Sequence, residues 1–563
     1  MGALAIRDEG GFAQSLWNKS TNEAIFAVYT PYILSLASGK LDSGSFLHCI
    51  FQDLRFLEAS AEAFEMAEEF SDDDDDKAVI QKIRKRVLKK MTMFRSIVQE
   101  WGFELPAGNI SDRAMIKYTD FLLAAASGES VREKFPGKFA TPFEKTKLSA
   151  YALAAMAPSV RLQSFLSKEI QAVLEPDEDN HLYKKWIDSC ASQKFEDSAS
   201  QIEELLDKLT VSLTGEELQF VETIYHKAMK LQVDFFSAQP IIQNTVVPLY
   251  QAHGNDDHNV LICSGYDMTC SAVDSGALLA DVAIIKSSKT VKSNGYESGG
   301  VDETSLDNLR DIWRDLHVQY VEEYEQCIDN IMLSEKVAEF DFESLCNALA
   351  QLSDIENAAN LRVDNSGVLK GLHMDDDIKW AAEHLIFQDG CLEFFREIEK
   401  RENVAIDAHI LSYCWSGDLI RSAFNSGDSR FPNVHSNELL FSESISTGEI
   451  LKKVQSPIEK LQTFDNICNN SNNNGPNISV YIGGSVEDLL CLLKADIGIV
   501  ISPSANIKKL GGLFGFTFVP LFSGLVKKQI ELIEDGSSCW KGLSGTLYTV
   551  SSWAEIHAFI LGV

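Results

Sequence analysis

The feature that most constrains this chain is a change of hydrophobic period near residue 240. From residue 11 onward, stretches such as EAIFAVYTPYILSLASGK, SFLHCIFQDLRFLEASAEAFEMAEEF and EELQFVETIYHKAMKLQVDFFSAQ repeat apolar residues every third or fourth position. That spacing puts them on one stripe of a helix. Beyond residue 259 short apolar runs (NVLICS, AIDAHILSYC, NISVYIGGS, DIGIVIS) alternate with helical stretches, the pattern of a parallel sheet in an α/β fold. The chain of 563 residues is therefore expected to be multidomain, since two such textures do not build one core. An all-α bundle is expected over 1–240, a connection over 241–258 and an α/β domain over 259–563. A long helical insert, about 283–400, follows the first strand as a cap. The run SDDDDDK, Ser71 to Lys77, is expected to be a solvated loop.

Charge and thiols narrow the partners. A formal charge of −33 repels phosphate backbones and anionic lipid, which argues against nucleic acid and membrane surfaces. No apolar run approaches the roughly 20 residues of a membrane span. Eleven cysteines without a CxxC fit reduced thiols, and the start MGALAIRDEGG has neither signal-peptide nor transit-peptide character, so a cytoplasmic protein is expected. Cys263, Cys270 and Cys414 are expected as small buried hydrophobes. The histidines form no metal-ligand spacing, so no zinc is expected.

The stretch LICSGYDMTC, residues 261 to 270, poses the chemical question. Phosphotransferases that work through an aspartyl-phosphate carry D-x-D after a strand, the first carboxylate as nucleophile and the second as general acid. Here Gly265 stands first and Asp267 second. Ser412 ends a later strand, Lys460 lies in SPIEKLQTF, and YIGGSVEDLL holds Gly484 and Asp488. In that order these segments resemble the haloacid dehalogenase (HAD) superfamily. The resemblance implies a phosphate-binding Ser412 and Lys460, and Mg²⁺ held by carboxylates at positions 265, 484 and 488. The helical half resembles TenA, the thiaminase II family of the haem-oxygenase-like fold. QDLRFL gives Asp53 and Phe56, IKYTDFLLAAASG gives Tyr118, and HLYKKWID matches a third segment. A TenA domain followed by a HAD domain is the layout of two-domain plant thiamin-salvage proteins, which pair an aminopyrimidine hydrolase with a thiamin monophosphate phosphatase.

Both families' reactive positions are altered. Gly265 and Gly484 remove the nucleophile and a metal carboxylate, so phosphatase activity and Mg²⁺ binding are expected to be lost and no cofactor is expected. In the TenA half, Ser159 stands where the family has its cysteine nucleophile, Gln232 where it has a catalytic glutamate, and Gln163 and Cys190 where it has pocket tyrosines. Asp53 and Tyr118 survive. The expectation is a remodelled pocket that binds, and transforms by acid–base chemistry at Asp53, Tyr118, Ser159 and Gln232, a non-thiamin small molecule such as an amine or N-heterocycle. Phe56, Gln163 and Cys190 would shape it. Two alternatives stay open: residual pyrimidine salvage, and a non-catalytic scaffold. TenA ancestry implies a homo-oligomer or assembly with an intact paralogue.

Overall fold

A computed structural model describes residues 10–100, 112–129, 142–174, 181–251, 259–293, 303–401, 406–424, 432–471, 477–536 and 540–563. The chain divides into two compact units. The first is Met1–Ala252 with Leu525–Ser538 and Ala558–Val563, and the second is His253–Gly524 with Cys539–His557. Residues 252–258 of the expected connection lie outside the described residues.

The first unit is helical, and its helices begin where the sequence supplies caps. Thr30 accepts from the Ile33 amide with Pro31 at the first helical position, opening Pro31–Ala37. Asp42 accepts from Ser45 N at 2.9 Å and opens the long Ser43–Phe70 helix. Thr214 and Glu217 form a capping box for Gly215–Ser237. EAIFAVYTPYILSLASGK is two helices, Thr21–Val28 and Pro31–Ala37, because Pro31 cannot continue the first. The acidic run is corrected as well. Asp73 Oδ1 accepts from the Asp75 and Asp76 amides at 2.8 and 3.0 Å, and Asp74 to Asp76 form the first turn of Asp74–Glu100. Carboxylates are favourable there because they meet the helix's free amides and positive dipole end.

The second unit is built on a seven-stranded sheet. Its strands are β1 (Asn259–Gly265), β2 (Ile406–Leu411), β3 (Asn433–His435), β6 (Asn477–Gly483), β7 (Ile497–Ile501), β8 (Thr517–Pro520) and β9 (Thr546–Val550). The order is β3-β2-β1-β6-β7-β9-β8 with every pair parallel. All four strands expected from the sequence are present. β1 lies between β2 and β6, with Gly265 opposite Leu411, so the carboxyl ends of β1, β2 and β6 converge on one edge, the usual ligand edge of such sheets. A separate hairpin, β4 (Glu438–Ser442) with β5 (Ile445–Leu451), was not expected.

The insert between β1 and β2 is helical, as expected, yet it is more than a cap. Ile331, Leu345, Leu349 and Leu352 from its helices are fully buried in one cluster with Leu261 of β1, Tyr481 of β6 and Phe464. Fully burying a leucine is worth about 2 kcal/mol, so Phe342–Ser366 is held in the core. Cys263, Cys270 and Cys414 are buried.

Candidate functional site

The helical unit contains a cavity of about 540 Å³ whose lining includes Asp53, Phe56, Ser159, Gln163, Cys190 and Gln232. Six of the seven positions expected at the TenA-like site thus share one space. Tyr118 does not line it. Its ring stacks on Phe56 at 4.6 Å, and Gln232 Nε2 donates to its hydroxyl at 3.0 Å. The buried phenol, its pKa pushed up by desolvation, therefore supports Gln232 and Phe56 from behind.

Asp53 projects from the middle of Ser43–Phe70. Burial pushes its carboxyl up to about 6, with the Lys90 ammonium pulling the other way. Its neighbour Gln52 faces elsewhere: it accepts from the Asp112 amide at 3.1 Å and so steadies the start of Arg113–Ser127, the helix that carries Tyr118. The QD pair thus divides its work between scaffold and cavity.

The replacements bond to backbone, to one another, to Lys90 or to Tyr118. Ser159 follows Pro158 inside the Pro142–Val173 helix, and its hydroxyl donates to the Met156 carbonyl at 2.9 Å. Among the described residues no base takes its proton, so it is a hydroxyl without activation. Gln163 accepts from Lys90 Nζ at 2.6 Å and turns its amide toward Cys190 Sγ at 3.7 Å. The Cys190 thiol is pushed up to about 11 by burial, the opposite of what a nucleophile needs. Asp234, two residues from Gln232, is exposed and does not line this cavity.

Sequence reasoning missed Lys90 and Tyr32. Lys90 also lies over the rings of Phe94 and Phe195, 5.2 and 5.1 Å from their centroids. Its stretch, IRKRVLKK, reads as an exposed cationic face. Tyr32 lines the cavity beside Cys49, and its hydroxyl is raised by burial.

In the second unit the six HAD-like positions gather at the ends of β1, β2 and β6. Asp267 accepts from Ser275 N at 2.7 Å and from Ser412 Oγ at 3.3 Å, and burial pushes it up to about 6. Lys460 and Asp488 form a buried ion pair at 2.7 Å. Asp488 also accepts from Tyr481 Oη at 2.9 Å, from the Gly484 and Ser485 amides at 3.2 and 3.3 Å, and from Ser485 Oγ at 3.0 Å. These partners hold its carboxyl below the usual range against the desolvation that raises it. A Cβ placed on Gly265 would lie 2.7 and 2.8 Å from the two Asp488 oxygens. The space next to a would-be nucleophile is taken. At Gly484 a Cβ meets nothing nearer than 3.4 Å, one such atom being Thr269 Oγ1, a buried hydroxyl without a hydrogen-bond partner among the described residues. Glu356 and Glu487, unforeseen from sequence, also border the site. Burial pushes both carboxyls up, with repulsion from Glu356 adding to the rise at Glu487, and Tyr320 donates to Glu356 at 2.7 Å.

Residues 144–240 match the TENA/THI-4/PQQC family. Over 551 residues the chain is 50% identical to the bifunctional TH2 protein, mitochondrial, of Arabidopsis thaliana, covering 97% of this chain and 88% of that one. A TenA family transcription regulator from Silicibacter is 20% identical with a TM-score of 0.34, over 40% of this chain and 95% of its own. Phosphoserine phosphatase, solved as a phospho-aspartyl intermediate analogue, is 14% identical with a TM-score of 0.28, over 45% and 90%. The Arabidopsis relative is mitochondrial by name, which overturns the cytoplasmic expectation. Reduced thiols indicate a reducing compartment without specifying which, and an import address is a receptor-read segment that the composition of a folded body does not encode. No helix among the described residues is long and apolar enough to cross a membrane. With half its residues shared along nearly its whole length, the chain belongs to the bifunctional TH2 family, with a TenA-type helical domain followed by a parallel-sheet α/β domain.

Proposed function

We propose that the helical cavity binds a small amine or N-heterocycle other than thiamin and its pyrimidine, and transforms it by proton transfer at Asp53, while the HAD-type site performs no phosphoryl transfer. The observation that carries this reading is the fate of the replaced positions. Ser159, Gln163, Cys190 and Gln232 occupy one cavity, and none of them is prepared as a nucleophile or titrates near neutrality. Asp53 is the exception. A carboxyl near 6 is anionic enough at neutral pH to hold an ammonium or amidine and basic enough to exchange a proton with it. Tyr118 acts as a positioning residue through Gln232.

For the HAD-type site, the reading rests on the donor set. Mg²⁺ needs carboxylate oxygens free to enter an octahedral shell. Gly265 and Gly484 supply none, Asp488 is engaged by five donors, and Asp267 accepts from Ser275 and Ser412. These residues do not fit the ion, and no step is assigned to it.

Thiamin monophosphate and the amino-aminomethylpyrimidine, offered to the purified chain, are expected to be consumed no faster than in buffer. Family membership favours residual salvage as the second reading, and pyrimidine hydrolysis above the buffer rate, abolished in Asp53→Asn, would establish it in place of the first.

A further inference from the structure

Four cations border the cavity of the helical unit in a chain of net charge −33: Arg86, Lys89 and Lys90 from Asp74–Glu100, and Lys194 from Gln193–Thr210. None has a carboxylate partner within ion-pair distance among the described residues. Arg86 donates to Gln201 at 2.9 Å and Ser198 at 3.4 Å, and Lys90 donates to Gln163. Lys89 and Lys194 are exposed. Cations close by are neutralised: Arg84 by Glu65, Arg95 by Glu58, and Arg161 by Glu196 and Glu203.

The placement of Lys194 is a second sign. It occupies the first turn of its helix, beside Ser192, which caps that helix without a side-chain hydrogen bond and also lines the cavity. Helix amides there already carry positive partial charge and Lys194 adds to it, while the Glu196 carboxylate of the same turn is taken up by Arg161, Lys168 and Ser164 and does not line the cavity. Against these four cations the cavity lining offers, among the described residues, one carboxylate, Asp53. The opening is therefore electropositive on a strongly acidic protein, and the mutual repulsion is relieved when an anion enters.

We infer that the ligand of this pocket carries an anionic arm, a phosphate or a carboxylate, which lies among Arg86, Lys89, Lys90 and Lys194 while its amine meets Asp53. The inference rests on the amine-binding reading above and specifies its ligand class. Lys90 sits where both ends are felt: its ammonium pulls on the Asp53 carboxyl, and its bond to Gln163 leaves two N–H groups for the arm. The replacement at Gln163 thus anchors the cation that a zwitterionic ligand needs.

Calorimetric titration of the full chain with two matched pairs tests this. Pyridoxamine and pyridoxamine 5′-phosphate share one aminomethyl heterocycle and differ by a phosphate arm, and tryptamine and tryptophan differ by a carboxylate. In at least one pair the armed member is expected to bind roughly tenfold more tightly, the gain expected of two rim charges, with the gap narrowing as salt rises. The Lys89→Ala/Lys194→Ala double variant removes two exposed side chains; it is expected to close that gap by weakening the armed member without weakening the arm-free amine. The pair that shows the gap identifies the arm. Equal affinities within both pairs, or a gap that survives the double variant, overturn the inference while leaving the amine pocket standing. If no amine binds, or if Asp53→Asn binds them all as well as the parent, the amine reading falls and the inference with it.

Discussion

Restoring the aspartate that a phosphatase would need at position 265 is expected to damage the second unit. The Cβ alone arrives 2.7 and 2.8 Å from the Asp488 oxygens, well inside contact distance. Asp488 cannot retreat cheaply, because Lys460, Tyr481, Ser485 and two backbone amides hold it. If the carboxylate stays, overpacking costs about 1–3 kcal/mol, and a second buried anion adds repulsion. If it leaves, Lys460 loses the partner of a buried pair, at about 3–5 kcal/mol. Either route gives about 3 kcal/mol, or a fall of roughly 6–12 °C in the calorimetric transition of a domain this size. Gly484→Asp is the control. Its Cβ comes no nearer than 3.4 Å to any atom, an ordinary contact, and its carboxylate gives the Thr269 hydroxyl, unpartnered among the described residues, an acceptor, so its cost is expected to stay within about 1 kcal/mol. A Gly265→Asp variant that melts with the parent, or that hydrolyses p-nitrophenyl phosphate, would refute the claim that Asp488 and Lys460 have closed the site.

Other expectations follow from single groups. Asp53 has a folded pKa raised from 3.8 to about 6, so the folded state binds the extra proton. Its burial therefore costs stability above pH 6, and the cost vanishes as pH falls below about 4; Asp53→Asn should melt higher than the parent at pH 7.5 and level with it near pH 4. The shift sets a ceiling of about 3 kcal/mol, reduced because the carboxylate faces a cavity that water can enter. Lys460→Met, which strands Asp488, should cost about 3–5 kcal/mol by denaturant titration of the second unit. Asp73→Ala removes the acceptor of two amides and should cost about 1 kcal/mol in thermal melts.

Much of the fold could be read from local pattern. The four strands and their carboxyl-end residues were legible because a strand's apolar run and the polar turn after it are adjacent in sequence. The β4–β5 hairpin was not legible: β5 buries Ser446, Gly448 and Ile450 and exposes Ile445 and Leu451, so its sequence shows no apolar alternation, and the two-residue turn takes its positive φ at Glu443 and Ser444 without the Asn-Gly pair that usually marks it. The acidic run was misassigned because charge density was weighed ahead of the capping preference of aspartate. At the site, substituted positions could be named one by one. Their bonding could not, since the Lys90–Gln163–Cys190 chain joins three helices and the Asp488 carboxylate is placed by groups from a helix, a strand and the turn after that strand. Tyr118 shows the same limit: its helix was legible, but Gln232 standing between it and the cavity depends on packing.

The central claim is that chemistry in this chain belongs to the helical cavity and depends on Asp53. It is tested most directly by incubating a metabolite extract of the source tissue with the purified protein and with Asp53→Asn, and comparing both by untargeted mass spectrometry. The account predicts at least one amine, bearing an acidic group, consumed by the parent and untouched by the variant. Identical profiles from the two proteins, or consumption confined to phosphate esters and unaffected by Asp53→Asn, would contradict it.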